Sequence, residues 1–167
     1  MAARAAERVR YRDRIKNLVA NPPTSSEGIG SELEMQAHWA KYTCVLISGF
    51  IEQAVKEIIL EHTSANAAPR IRKYIEGTWP NSKNMRSDAI REILDHLDPR
   101  WSDQYDAWVK TEERKKEINE IIKWRNYIAH GKESNTGNVT LGSVSTKFQI
   151  ACQLVDFIEA LPNNPAA

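Results

Sequence analysis

Cysteines and long apolar runs are both scarce in this sequence. Its 167 residues include two cysteines, Cys44 and Cys152, each inside an apolar helical pattern. That context is typical of buried thiols in a reduced cytoplasmic protein, and no cysteine spacing indicates a zinc site. The longest nearly apolar run covers residues 44–51, far short of the ~20 residues that span a bilayer. We therefore expect a cytoplasmic location and no membrane partner.

The common motifs of cofactor-dependent and hydrolytic enzymes are also missing. The sequence has no glycine-rich phosphate loop, no dinucleotide fingerprint and no His-Glu-x-x-His pair. It also lacks the Gly-x-Ser-x-Gly elbow of serine hydrolases. We predict neither a cofactor nor a bound metal.

The whole chain has no large excess of charge of either sign, with 23 basic and 22 acidic residues. The N-terminus is different, because residues 1–20 hold six basic residues and only two acidic ones. A basic helix of this kind attracts polyanions, which makes Arg8 and Arg12 candidate RNA contacts. A solvated helix face is an equally good interpretation of the same residues.

Helical periodicity and the absence of any convincing strand pattern predict an all-α protein, an up-and-down bundle of about five to six helices. The length fits one main domain. We divide the chain into a basic N-terminal helix and loop (1–30), the bundle (31–162) and a disordered tail (163–167). The loop rich in Pro, Ser and Gly leaves the first helix as a possible appendage.

Two segments of the bundle are rich in apolar or aromatic residues. Residues 42–51 of the long second helix are apolar nearly all round, which favours burial on several sides. Trp101, Tyr105 and Trp108 form an aromatic-rich segment. These rings are suited to base stacking, but their helical spacing favours packing in the core or in a dimer.

One stretch, residues 124–131, ends a helix whose apolar face is set by Ile118, Ile121, Ile122 and Ile128. Arg125 falls within that stripe, where an unpaired guanidinium would be costly to bury. It therefore has a partner or lines a cleft. Asn126 lies one turn before His130, and Gly131 is a typical residue just after a helix end. On an ideal helix Arg125 and His130 are roughly 140° apart, at about 100° per residue.

The structural interpretation of these residues is that Arg125 pairs with Glu52 on the second helix and that His130 only ends its own helix. The residues alone favour it. The catalytic interpretation uses a histidine, which titrates near neutral pH, as acid or base. It uses the arginine fork to hold phosphate oxygens, with Asn126 orienting the imidazole or donating to the phosphate. Glu52 and Lys132 are possible supporting residues, and Lys123 is a further candidate RNA contact.

The segment Arg125-Asn126-x-x-x-His130 resembles the Arg-x4-6-His motif of HEPN domains, in particular the branch found beside ribonuclease L-PSP proteins. The order of elements is similar too: the motif ends a penultimate long helix, and a polar loop and a last amphipathic helix follow. The resemblance implies a metal-independent endoribonuclease in which two protomers form one composite site. Lys132 stands where some HEPN toxins carry a tyrosine that a partner enzyme modifies, which puts that route of neutralisation in doubt.

Two functions of different class follow. The first is an endoribonuclease of a toxin–antitoxin or phage-defence system, with RNA, a second copy of the chain and a protein antitoxin or defence protein as partners. The second is a non-catalytic helical module that binds RNA or a protein and keeps the motif for dimer packing.

Overall fold

The computed structural model describes residues 2–26, 28–79, 84–111 and 113–163. These residues form seven α-helices and two 3-10 turns, with no strand among them. The helices are α1 (Ala2–Ala20), α2 (Ile29–Asn66), α3 (Pro69–Thr78), α4 (Ser87–Leu97), α5 (Pro99–Lys110), α6 (Arg114–Ala129) and α7 (Leu141–Ala160). The all-α bundle is confirmed, with more helices than the five to six expected.

The additional helix is α5, the aromatic-rich segment. Asp98 caps it by accepting a hydrogen bond from the Arg100 backbone N–H, and Pro99 occupies its first turn. Tyr105 is fully buried, and the Trp108 ring stacks on Phe157 of α7 with 5.0 Å between centroids. These contacts favour core packing over base stacking for this segment.

Helix α2 is the centre of the bundle and contacts α1, α3, α6 and α7. Its inner face carries fully buried residues such as Ile47, Phe50 and Ile51. The segment is buried on several sides, as expected, but Tyr42 and Val45 are 44% and 37% exposed. An apolar surface therefore remains on α2 in the single chain.

Helix α1 is part of the bundle rather than an appendage. Ile15 is fully buried in the common core between α2 and α7. Arg8 is only 6% exposed and forms ion pairs with Glu57 and Glu61 of α2 and with Glu159 of α7. The apolar content of α1 is low, and its sequence does not indicate these charged contacts with α2 and α7.

Helix α7 closes the bundle and begins with a capping box. Thr140 accepts a hydrogen bond from the Ser143 N–H, and the Ser143 hydroxyl accepts one from the Thr140 N–H. After α7, Leu161–Asn163 form a 3-10 turn, so the first residue of the expected tail belongs to this turn. Residues 164–167 of that expected tail lie outside the described residues. Within the described ranges, none of the helices has the length and apolarity that a bilayer span requires.

Candidate active site

The end of α6 has the geometry that its sequence predicts. Gly131 adopts a positive φ of 63°, and its N–H donates to the Ile128 carbonyl. The Lys132 N–H donates to the Tyr127 carbonyl at 2.9 Å. This pair of bonds is the Schellman ending, which requires a left-handed residue at the glycine position. It stops the helix at a fixed point and leaves His130 exposed as the C-cap residue.

Arg125 lies at the edge of the apolar stripe rather than inside the core, with 28% of its side chain exposed. Its Nη1 donates to the Asn126 Oδ1 at 3.0 Å and to the Asn84 Oδ1 at 3.5 Å. Its Nη2 lies 3.9 Å from the Glu52 Oε2. The Glu52 contact proposed from the sequence is therefore present at the outer limit of an ion pair, and the short hydrogen bond is to Asn126.

Asn126 and His130 are adjacent through the backbone, because the His130 N–H donates to the Asn126 carbonyl at 3.1 Å. The Asn126 side-chain oxygen is occupied by Arg125 instead of the imidazole. Among the described residues nothing forms a hydrogen bond with the His130 ring. In one chain, Asn126 therefore positions the arginine, and the imidazole lacks an orienting partner from the described part of its own chain.

The loop after His130 is tied to α2. Glu133, at the start of the 3-10 turn Glu133–Asn135, forms an ion pair with Lys41. Hydrogen bonding to the Lys41 ammonium lowers the pKa of the Glu133 carboxyl. Thr136 is buried and donates to the Glu133 carbonyl. Lys132, between His130 and this turn, is exposed, so a flexible cation stands next to the histidine.

A surface groove of about 560 Å³ runs along α6 on the side of Asn126. Lys123 lies on its wall, exposed, with its ammonium 5.6 Å from the centre of the Tyr127 ring. The groove is also lined by Arg86, Lys116, Asn119 and Glu120. Of the three candidate RNA contacts, Lys123 is the one that the fold brings beside the motif.

Arg8 and Arg12 are placed elsewhere. Arg8 is enclosed by its three carboxylates. Burial lowers its pKa, but the hydrogen bonds and ion pairs with Glu61 and Glu159 raise it, and the net effect is a raised pKa. Arg12 donates two hydrogen bonds to the Asp156 carboxylate of α7. Both side chains thus hold α1 to the bundle, and neither lines the groove beside Asn126.

Other reactive groups in the described chain do not join this site. Cys44 and Cys152 are both buried and free, and burial raises the pKa of the Cys44 thiol to about 12. His62 packs edge-on against Trp101, and burial lowers its pKa. Within the ranges described, no three His, Cys, Asp or Glu residues are grouped so as to hold a metal ion.

Sequence reasoning missed two residues of this region, Asn84 and Arg86. Both belong to the segment directly before α4. In the structure Met85 between them is fully buried, while both neighbours are exposed. The alternation is visible in the sequence, but only packing brings Asn84 next to Arg125, 41 residues later in the chain.

Comparison with protein-family models matches the RiboL-PSP-HEPN family over residues 9–161. Comparison with curated proteins and with solved structures gives no match. The match covers most of the chain, from within α1 to the end of α7, and includes Arg125, Asn126 and His130. The chain belongs to the RiboL-PSP-HEPN family.

Proposed function

We propose that this protein is an endoribonuclease that cleaves RNA without a metal ion, as the effector of a toxin–antitoxin or phage-defence system. The observation that carries the proposal is the state of Arg125. Its guanidinium is fixed by Asn126, Asn84 and Glu52, yet more than a quarter of the side chain is open to solvent. A pre-positioned, accessible cation is what stabilisation of a phosphate transition state requires.

The reaction that suits these residues is attack by the ribose 2′-oxygen on the adjacent phosphorus. A base removes the 2′-hydroxyl proton, Arg125 holds the charged equatorial oxygens, and an acid protonates the departing 5′-oxygen. His130 serves as base or acid. The amide nitrogen of Asn126 remains to donate to the phosphate, because its oxygen is engaged by Arg125. The products are a 2′,3′-cyclic phosphate and a free 5′-hydroxyl.

The site is completed by a second copy of the chain. In one chain the described residues give the exposed imidazole no hydrogen-bonding partner, and two histidines, one per protomer, would supply both the base and the acid. Val45 is exposed and precedes Glu52 by seven residues, or two helical turns, so both lie on one side of α2. A partner that covers Val45 therefore comes next to Glu52 and Arg125.

A second candidate function is a non-catalytic RNA-binding or protein-interaction module. The contact between Arg125 and Glu52 favours it, because a carboxylate near the guanidinium competes with phosphate. In that case the motif serves packing, and cleavage is absent.

Purified protein incubated with mixed RNAs in EDTA separates the two functions. We expect cleavage by the wild-type protein and none by His130→Ala. His38→Ala is the matched control, since this histidine is 69% exposed on α2 and lies outside the site. Equal cleavage by wild type and His130→Ala, or a strict need for a divalent ion, would overturn the proposed mechanism. Absence of cleavage by the pure dimer would favour the second function.

A further inference from the structure

Within the part of the chain that the structure describes, the groove along α6 is lined by three cations, Arg86, Lys116 and Lys123, and we call it the basic groove. Arg86 and Lys123 are exposed, and neither forms an ion pair with a described residue. Lys116 lies 2.8 Å from Glu113, an exposed pair that solvent screens. The one acid that the described residues place on the wall, Glu120, is held by Lys147 at 2.8 Å. The basic groove therefore offers positive charge that is not already neutralised.

Two sets of contacts connect the basic groove with Arg125 of the motif. Asn126 lines the groove and also accepts the hydrogen bond from Arg125. The segment before α4 provides the second set, since Arg86 lines the groove and Asn84 contacts Arg125. Met85, fully buried between them, fixes this segment. A ligand in the groove is therefore next to the guanidinium.

The side chains that line the basic groove indicate the class of ligand. Cations spaced along a groove bind the regularly spaced phosphates of a nucleic acid, and an aromatic ring beside them offers a face for a base. The Tyr127 ring lines the groove beside Lys123. The amide of Asn119 accepts from the Ser87 N–H through its oxygen at 3.0 Å, which leaves its nitrogen to donate. This combination is typical of binding to single strands.

We propose that the basic groove binds the single-stranded RNA backbone next to the cleaved phosphate, with Arg86 and Lys123 each contacting one phosphate. The inference rests on the proposed ribonuclease function and names the part of the site that holds the substrate. Asn126 is the residue that both regions share.

The test measures binding separately from cleavage. A fluorescent RNA with 2′-O-methyl groups at every position cannot be cleaved by 2′-oxygen attack, so anisotropy reports affinity alone. Its affinity is measured over a series of salt concentrations for the wild-type protein and for the double variant Arg86→Gln/Lys123→Gln. The matched control is Arg70→Gln/Lys73→Gln, which removes two exposed cations from α3, away from the groove.

Each phosphate contact contributes ~0.7 to the slope of log affinity against log salt for a single strand. We expect the groove variant to lose about 1.4 of that slope and to bind more weakly at low salt, while the control keeps the wild-type slope. Equal slopes for all three proteins, or no binding by the wild type, would refute the inference. Duplex RNA that binds as tightly as the single strand would contradict the single-strand assignment.

Cleavage of ordinary RNA by the same proteins keeps the two proposals distinguishable. If the wild type cleaves and the groove variant binds with an unchanged slope, the ribonuclease function stands and the groove assignment is wrong. If the groove variant loses slope and no protein cleaves, the groove binds RNA but the catalytic proposal fails, and with it the place of the groove next to a cleaved phosphate.

Discussion

Replacement of Arg125 by alanine separates a catalytic role from a structural one, because the two roles predict effects of different size. Arg125 makes one short hydrogen bond, to Asn126, and longer contacts to Asn84 and Glu52. A hydrogen bond contributes ~1 kcal/mol and a partly exposed ion pair ~0–1 kcal/mol. Arg125→Ala should therefore cost about 1–2 kcal/mol of the free energy of unfolding.

At ~2–4 °C per kcal/mol for a chain of this size, the melting temperature should fall by about 2–8 °C. A domain with a stability of ~5–15 kcal/mol remains folded after such a loss. Removal of a donor that stabilises transition-state charge costs ~10²–10³ in rate. Unfolding therefore cannot account for the expected loss of activity.

Single-turnover cleavage of labelled RNA in EDTA, with calorimetry on the same preparations, measures both quantities. Arg125→Lys should recover only part of the rate. An ammonium lacks the planar fork with which a guanidinium can contact Asn126 and a phosphate at the same time. Arg125→Ala that cleaves within a few-fold of the wild-type rate would refute the catalytic role. A melting temperature lowered far beyond 8 °C would show that the structural estimate is wrong.

Three further predictions concern products, assembly and stability. Mass spectrometry of the cleaved RNA should find 2′,3′-cyclic phosphates and 5′-hydroxyls, and a 5′-phosphate product would contradict the mechanism. The cleavage rate should peak near neutral pH if the His130 side chains of two protomers share the base and acid roles. Light scattering should give twice the monomer mass, and Val45→Glu should give monomers with little cleavage, whereas a wild-type monomer at working concentration would remove the composite site. Lys147 is 4% exposed, hydrogen-bonded to Glu117 and Glu120, and 4.4 Å from the Trp124 ring. Because the two glutamates that it would leave are themselves 20% and 36% exposed, Lys147→Ala should lower the free energy of unfolding by ~1.5–3 kcal/mol in denaturant titrations, the range for hydrogen bonds to charged groups; a change below ~0.5 kcal/mol would contradict that estimate.

The local signals near the motif are strong, which is why the end of α6 matches the sequence prediction. A glycine that follows the C-cap residue of a helix can adopt the left-handed conformation that the Schellman ending needs, and Gly131 adopts it. The periodic apolar positions similarly predict Ile118, Ile121 and Ile122 as buried. Such features depend on residues within one or two turns of each other, so the sequence by itself determined them, together with the all-α class and the position of His130 at a helix end.

Only the tertiary structure decided which distant residues meet. Arg8 and Arg12 have the same local context as exposed basic residues, yet packing of α1 against α2 and α7 engages them with Glu57, Glu159 and Asp156. The same holds for Asn84 and Arg86, whose place beside the motif depends on how α4 packs on α6. Periodicity reports which face of a helix is buried, but not which helix covers it. The environment of Arg125 depends on which helix covers it. That pairing of helices is determined by packing over the whole core.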